Sequence, residues 1–240
     1  MFTRRESFRT FLQLYPVVSI LVCIHILFWL LVQLPIPAVQ IFFSLLDGYN
    51  AGIASGEYWR LVTPIFLHVS FGHLFFNSLS LILFAPALEK MLNRPKFILF
   101  YLCTGIIADI ATFLFEPSNY SHIGASGAIF GLFGAYLFIV YFRRGTIDQA
   151  NSQLIISILV IGLIMTFFNP NINIVAHIFG LIGGLAIAPL FIRKQQQFVH
   201  QTYYTPSPPS RGTLKKLKLY HAFWIIFILL IVIGLIFRFG

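Results

Sequence analysis

The chain has 240 residues, of which 58% are hydrophobic and only 10% charged, and its mean hydropathy is +0.87. No soluble domain of this length needs so much apolar surface, so a soluble enzyme or carrier is excluded and lipid-facing helices are implied. The net charge of +9 would suit nucleic acid only if gathered on a folded domain. It is instead spread between apolar runs, so no nucleic-acid partner is expected.

In chain order, residues 1–13 carry Arg4, Arg5 and Arg9 and read as a short cytoplasmic segment. The apolar run that follows is too long for a signal peptide and lacks a small-residue cleavage site, so it is expected to stay as a helix. Crossing a bilayer takes about 20 mostly apolar residues. Seven stretches qualify: 14–34, 70–88, 96–115, 126–142, 152–168, 173–192 and 220–238. Residues 35–69 are too long for a hairpin and too apolar for a free loop, so they are expected to lie partly in the interface as short amphipathic pieces. Residues 193–219 are polar, Pro-rich and basic, and read as a cytoplasmic linker before a seventh helix in 220–240. Cys23 and Cys103 fall inside apolar runs and read as small packing residues. No long-period repeat is present. The expected fold is all-α, a polytopic membrane helical bundle with a six-helix core (14–192) and one C-terminal transmembrane helix.

Counting Lys and Arg gives the orientation. With the N-terminus inside, the inner segments hold fourteen of them, from Arg4 to Lys218, and the outer segments only Arg60 and Arg238. The positive-inside rule then makes the N-terminus cytoplasmic and the C-terminus external. A multi-pass protein of a bacterial plasma membrane is expected.

Unpaired polar groups are costly in hydrocarbon, so intramembrane clusters need a reason. Three occur. The second span opens with His73 and Asn77, the fourth with Gly124-Ala125-Ser126-Gly127, and the sixth with Ala176-His177 followed by Gly180 and Gly184. Ser126, His177 and His73 lie 17, 16 and 17 residues before the next inner basic residue of their helices. At 1.5 Å per residue that is roughly 26, 24 and 26 Å above it, with Asn77 one turn lower at roughly 20 Å. All four therefore share one layer below the outer surface. Gly127, Gly131 and Gly134 beside Ser126, and Gly180 and Gly184 beside His177, have the small-residue spacing that lets helices pack closely in lipid. Singly, each feature has a plainer reading: chance, helix packing or an interhelical hydrogen bond. A serine opening a helix also faces unpaired N–H groups suited to a developing oxyanion.

These residues resemble the rhomboid family of intramembrane serine proteases. The match runs over about 14–192 and rests on Tyr58-Trp59-Arg60, His68, the His73…Asn77 pair, GASG around Ser126 and AHIFGLIGG from His177. The resemblance implies a Ser126–His177 dyad without a carboxylate. It implies an oxyanion hole of His73, Asn77 and the Ser126 backbone N–H, with Trp59 and Arg60 bracing a loop. It implies transmembrane proteins as substrates, the lipid bilayer as setting, and neither cofactor nor metal. Phe130 stands where some members carry a tyrosine against the histidine ring. Asp109 matches no family motif and reads as a structural hydrogen-bonding group or a water-facing carboxylate. Two other classes stay open: a catalytically silent rhomboid-like binding factor, and a small transporter. The transporter should show repeats and polar residues on both sides of the midplane, whereas here they gather near one face.

Overall fold

The computed structural model describes residues 6–169 and 172–192, and every regular element among them is helical. The expected linker 193–219 and seventh helix 220–238 lie outside the described residues. Nine α-helices are described: α1 (Phe8–Leu14), α2 (Pro16–Val32), α3 (Pro37–Ser44), α4 (Asn50–Ala54), α5 (Phe71–Leu92), α6 (Arg94–Phe115), α7 (Ser126–Phe142), α8 (Gln149–Phe168) and α9 (Ile174–Phe191). Two short 3-10 turns, Tyr58–Leu61 and Thr63–Phe66, separate α4 from α5. The chain is thus a polytopic helical bundle. Helices α5, α6, α8 and α9 are each long and apolar enough to cross a membrane. Helices α1 and α2 pass that test only together, across a bend of 109°, and α7 is shorter at 17 residues.

The bend at Tyr15–Pro16 was not expected from the sequence. Pro16 opens α2, where its missing N–H costs nothing. The next N–H groups, on Val17 and Val18, donate to the two Glu89 carboxylate oxygens at 3.1 and 3.0 Å. A buried anion from α5 therefore caps α2, and the α2 dipole favours it there. Lys90 lies over the Tyr15 ring at 4.9 Å. Helix α1 buries none of its residues and exposes Phe8, so it fits an interfacial helix crossing the line of α2.

Between α2 and α5 the chain forms the short pieces expected there, tied down by one cation. Arg60 is buried; it donates to the Ser44 and Asp47 carbonyls at 3.1 and 3.0 Å and pairs with the carboxylates of Asp47 and Glu57. The Trp59 indole N–H donates to the Leu45 carbonyl at 2.9 Å.

Helices α7 and α9 form the most extensive pair, and α6 packs against both. Every residue from Gly127 to Ile139 is buried, so α7 is the axis of the bundle. The glycines explain the closeness. A Cβ on Gly180 would run into the Gly127 carbonyl, and one on Gly184 into that of Gly131. Gly134 faces the α9 backbone, with Leu185 N 2.6 Å from where its Cβ would stand. Gly127 and Gly131 turn their own missing side chains toward α6, against Ala108 and Thr104, and so sit in the seam of all three helices. Helix α8 is more peripheral: its buried residues are Ile155, Leu159, Leu163 and Thr166, a single stripe. Asp148 caps its start, and the Asn151 backbone N–H holds that carboxyl below the usual carboxylate range.

Candidate active site

Ser126 is the first residue of α7, after a turn in which Gly124 has φ +135°. That conformation favours glycine. A Cβ there would also lie 2.5 Å from His73 Nε2, so the glycine admits the His73 ring against the turn. Its N–H donates to the Pro64 carbonyl at 2.9 Å, which anchors the turn to the 3-10 segment. The first turn of α7 has no side-chain cap. The other long helices do have an acceptor at that end: Glu89 for α2, Ser70 for α5, Asn93 for α6, Asp148 for α8 and Asn173 for α9. Uncapped N–H groups at a helix start suit a developing negative charge.

His73 is set by its own cap, since the Ser70 hydroxyl accepts from His73 N at 3.2 Å. Its ring packs between Gly124 and the edge of the His68 ring, whose centroid is 4.9 Å away. His68 in turn contacts His25 of α2 at 4.7 Å. Burial, assisted by His25 and His73, pushes the His68 pKa well below the ordinary imidazole value, so the neutral form of His68 is favoured where it meets His73. Asn77 is buried one turn below, and its side-chain amide donates to the His73 carbonyl at 2.9 Å. One amide N–H of Asn77 is committed there, and an amide carries two.

His177 lies in the first turns of α9, whose cap Asn173 accepts from Ala176 N at 2.9 Å. Its ring stacks on Phe130 with centroids 4.1 Å apart and planes 19° from parallel. Gly127 and Ala176, the neighbours of Ser126 and His177, touch: a Cβ on Gly127 would lie 3.5 Å from the Ala176 carbonyl. The structure therefore brings Ser126, His73 and the His177 segment to one locus from α7, α5 and α9. No hydrogen bond joins the Ser126 hydroxyl to the imidazole among the described residues. Trp59 and Arg60 lie apart from this locus, in the segment braced above.

Three partners went unforeseen in the sequence. Asp109, read there as a structural hydrogen-bonding group or a water-facing carboxylate, makes a part-buried hydrogen bond to His122 Nε2 at 3.1 Å, and His122 belongs to the loop leading into Ser126. One turn on, the Thr112 hydroxyl accepts from Asn173, the α9 cap, at 2.9 Å. Helix α6 thus sets the approach to Ser126 and the start of the helix bearing His177. The third is Thr166, whose hydroxyl lies 2.7 Å from His177 Nδ1. An isolated intramembrane hydroxyl carries no sequence signal, since it usually bonds its own helix. Among the described residues no cluster of three or more His, Cys, Asp or Glu is arranged to hold a metal ion.

The chain belongs to the rhomboid family. The Rhomboid domain model matches residues 55–194, which include every residue of this locus. The chain is 50% identical over 197 residues to "Putative rhomboid protease YdcA" of Bacillus subtilis, covering 82% of this chain and 99% of that protein. It is 44% identical over 150 residues to "Rhomboid protease GluP" of the same organism, covering 62% of this chain but 29% of that longer protein. "RHOMBOID-like protein 5" of Arabidopsis thaliana is 29% identical over 171 residues, 70% of this chain and 55% of its own length.

Proposed function

We propose that this chain is an intramembrane serine endopeptidase that cuts transmembrane-segment substrates near the outer face of the bilayer. The observation that carries the reading is the meeting of Ser126, at an uncapped helix start, with His73 and the His177 segment. The protease class is supported by two B. subtilis relatives named as rhomboid proteases, one of them matched over 99% of its length.

In this reading neutral His177 takes the Ser126 hydroxyl proton on Nε2 as Oγ bonds to the substrate carbonyl carbon. The oxyanion is held by the Ser126 N–H, His73 and the second amide N–H of Asn77. The imidazolium then gives its proton to the leaving amine as the C–N bond breaks. Water attacks the acyl-enzyme by the same route and restores Ser126. No cofactor is required. The substrate's outer end must unwind, because an intact helix hides its carbonyls. Core 14–192 is the catalytic unit, with the N-terminus cytoplasmic and the C-terminus external.

The test is a fluorophosphonate probe with a model transmembrane substrate in liposomes. The wild type should be labelled at Ser126 and cleave, and Ser126→Ala should do neither. Cleavage retained by the purified Ala protein would remove the serine-protease reading. A wild type that binds substrate without cutting would instead make it a silent binding factor.

A further inference from the structure

We infer that Thr166 is a positioning residue for the reaction proposed above, holding the His177 ring in the tautomer that leaves Nε2 free to take the Ser126 proton. The inference rests on that functional reading, but its geometry stands by itself. Thr166 is fully buried near the end of α8. Its hydroxyl makes two contacts, each of 2.7 Å: one to the Gly162 carbonyl a turn back in α8, the other to His177 Nδ1. A hydroxyl has one hydrogen to give.

The hydrogen has two possible destinations. If it points at Nδ1, the contact with the Gly162 carbonyl sets two oxygens 2.7 Å apart with no proton between them, which is repulsive. If it points at Gly162, the remaining contact needs a proton from the ring, so Nδ1 carries it. Only the second arrangement puts a hydrogen in both contacts. A neutral imidazole with Nδ1–H has its lone pair on Nε2, the nitrogen a base needs.

The rest of the ring's surroundings agree. Phe130 covers one face, Asn173 fixes the start of α9, and Thr166 holds the Nδ1 edge. The acceptor comes from α8, not from either helix bearing Ser126 or His177. Ring orientation therefore depends on the seating of the α8 stripe Ile155, Leu159, Leu163 and Thr166.

A triad carboxylate in this role is worth about ten-thousandfold in kcat. A neutral hydroxyl is a weaker acceptor, and the nearest scale is the roughly ten- to hundredfold that outer contacts orienting a metal-bound histidine are worth. The experiment compares Thr166→Val, which removes the oxygen, with Thr166→Ser, which keeps it. kcat and KM are measured on one transmembrane substrate. The ring tautomer is read from 15N spectra of histidine-labelled protein, with the His177 signals identified by their loss in His177→Ala.

Thr166→Val should lose about ten- to a hundredfold in kcat at unchanged KM, and its His177 signals should shift from Nδ1–H to a mixture. Thr166→Ser should keep the wild-type kcat and tautomer. Wild-type kcat in Thr166→Val would overturn the inference. So would equal losses in both variants with an unchanged tautomer, which would mark a structural role. If Thr166→Val does not fold, a wild-type spectrum showing Nε2–H is by itself decisive against it. Failure of the protease reading looks different: a wild type that does not cleave, or cleavage that survives Ser126→Ala, whatever the spectrum shows.

Discussion

Replacing Gly180 by Ala adds one methyl group where the two central helices touch. The new Cβ would stand 2.9 Å from the Gly127 carbonyl carbon, with the carbonyl oxygen nearer still. Carbon pairs rest at about 3.5–4.0 Å, so relief needs a shift of at least about 0.6 Å, and about 1 Å once the oxygen clears. Two effects oppose each other. Alanine favours a helix over glycine by about 1 kcal/mol, while overpacking costs about 1–3 kcal/mol. The obstacle is backbone, which cannot swing aside, so the upper part of that range applies and the net loss is about 1–2 kcal/mol. The same displacement separates the residues next to Ser126 and His177. A misplacement of about 1 Å can cost about a hundredfold in rate, equivalent to about 2.7 kcal/mol of barrier. Gly72→Ala is the control, because nothing lies within 4 Å of where its Cβ would stand. Melting curves in one detergent and cleavage rates on one substrate should show Gly180→Ala losing both stability and activity, and Gly72→Ala neither. A Gly180→Ala protein as stable and active as wild type would refute the close α7–α9 contact as the basis of the site.

Asn77→Ala should lose about a hundred- to a thousandfold in cleavage rate, as removal of an oxyanion donor does, with a near-normal melting temperature. A normal rate would remove Asn77 from the oxyanion hole. Arg60→Ala should lower the melting temperature and open residues 44–60 to limited proteolysis. The Asp47 and Glu57 side chains are partly exposed at 28 and 35%, so the loss should stay below the roughly 3–5 kcal/mol of breaking a fully buried pair. Unchanged thermal stability would show that the brace contributes nothing. Truncation after Lys194 should leave detectable cleavage with reduced yield. A well-folded truncated protein with no activity would place residues beyond 194 in the catalytic unit.

How much was legible depended on whether a residue's partner could be read from its position. Helix α7 was expected over 126–142 and spans Ser126–Phe142, because a glycine-containing turn precedes it and Arg143-Arg144 follow. Helix α5 runs past the expected 88 to Leu92. Lys90 served as the inner boundary of that span, yet its neighbour Glu89 turns inward to the α2 N–H groups. Helix α8 starts at Gln149 rather than 152, since Asp148 supplies a cap that hydropathy does not register. Of the site, Ser126, His73 and His177 were legible as one layer, and Ser126, His73 and the His177 segment meet at one locus, whereas Trp59 and Arg60 lie apart from it. The tie from Asp109 to His122 was not, because it depends on the path of a loop. Thr166 was invisible for a different reason: its bond to Gly162 is the ordinary one for an intramembrane hydroxyl, and only the fold adds the imidazole.

The 17 residues of α7 rise about 26 Å, less than the roughly 30 Å of a hydrocarbon core. A lipid-facing helix of that length would incur hydrophobic mismatch and answer it by thinning the bilayer around itself. With Gly127 to Ile139 buried, α7 presents almost nothing to lipid and escapes that constraint. Its start is free to lie below the surface, at a depth set by protein neighbours. Adjustment to membrane thickness falls to the longer helices α5, α6 and α8, which expose Phe76, Leu114 and Phe168. A thicker or thinner membrane would therefore reach the serine only through the tilt of those surrounding spans.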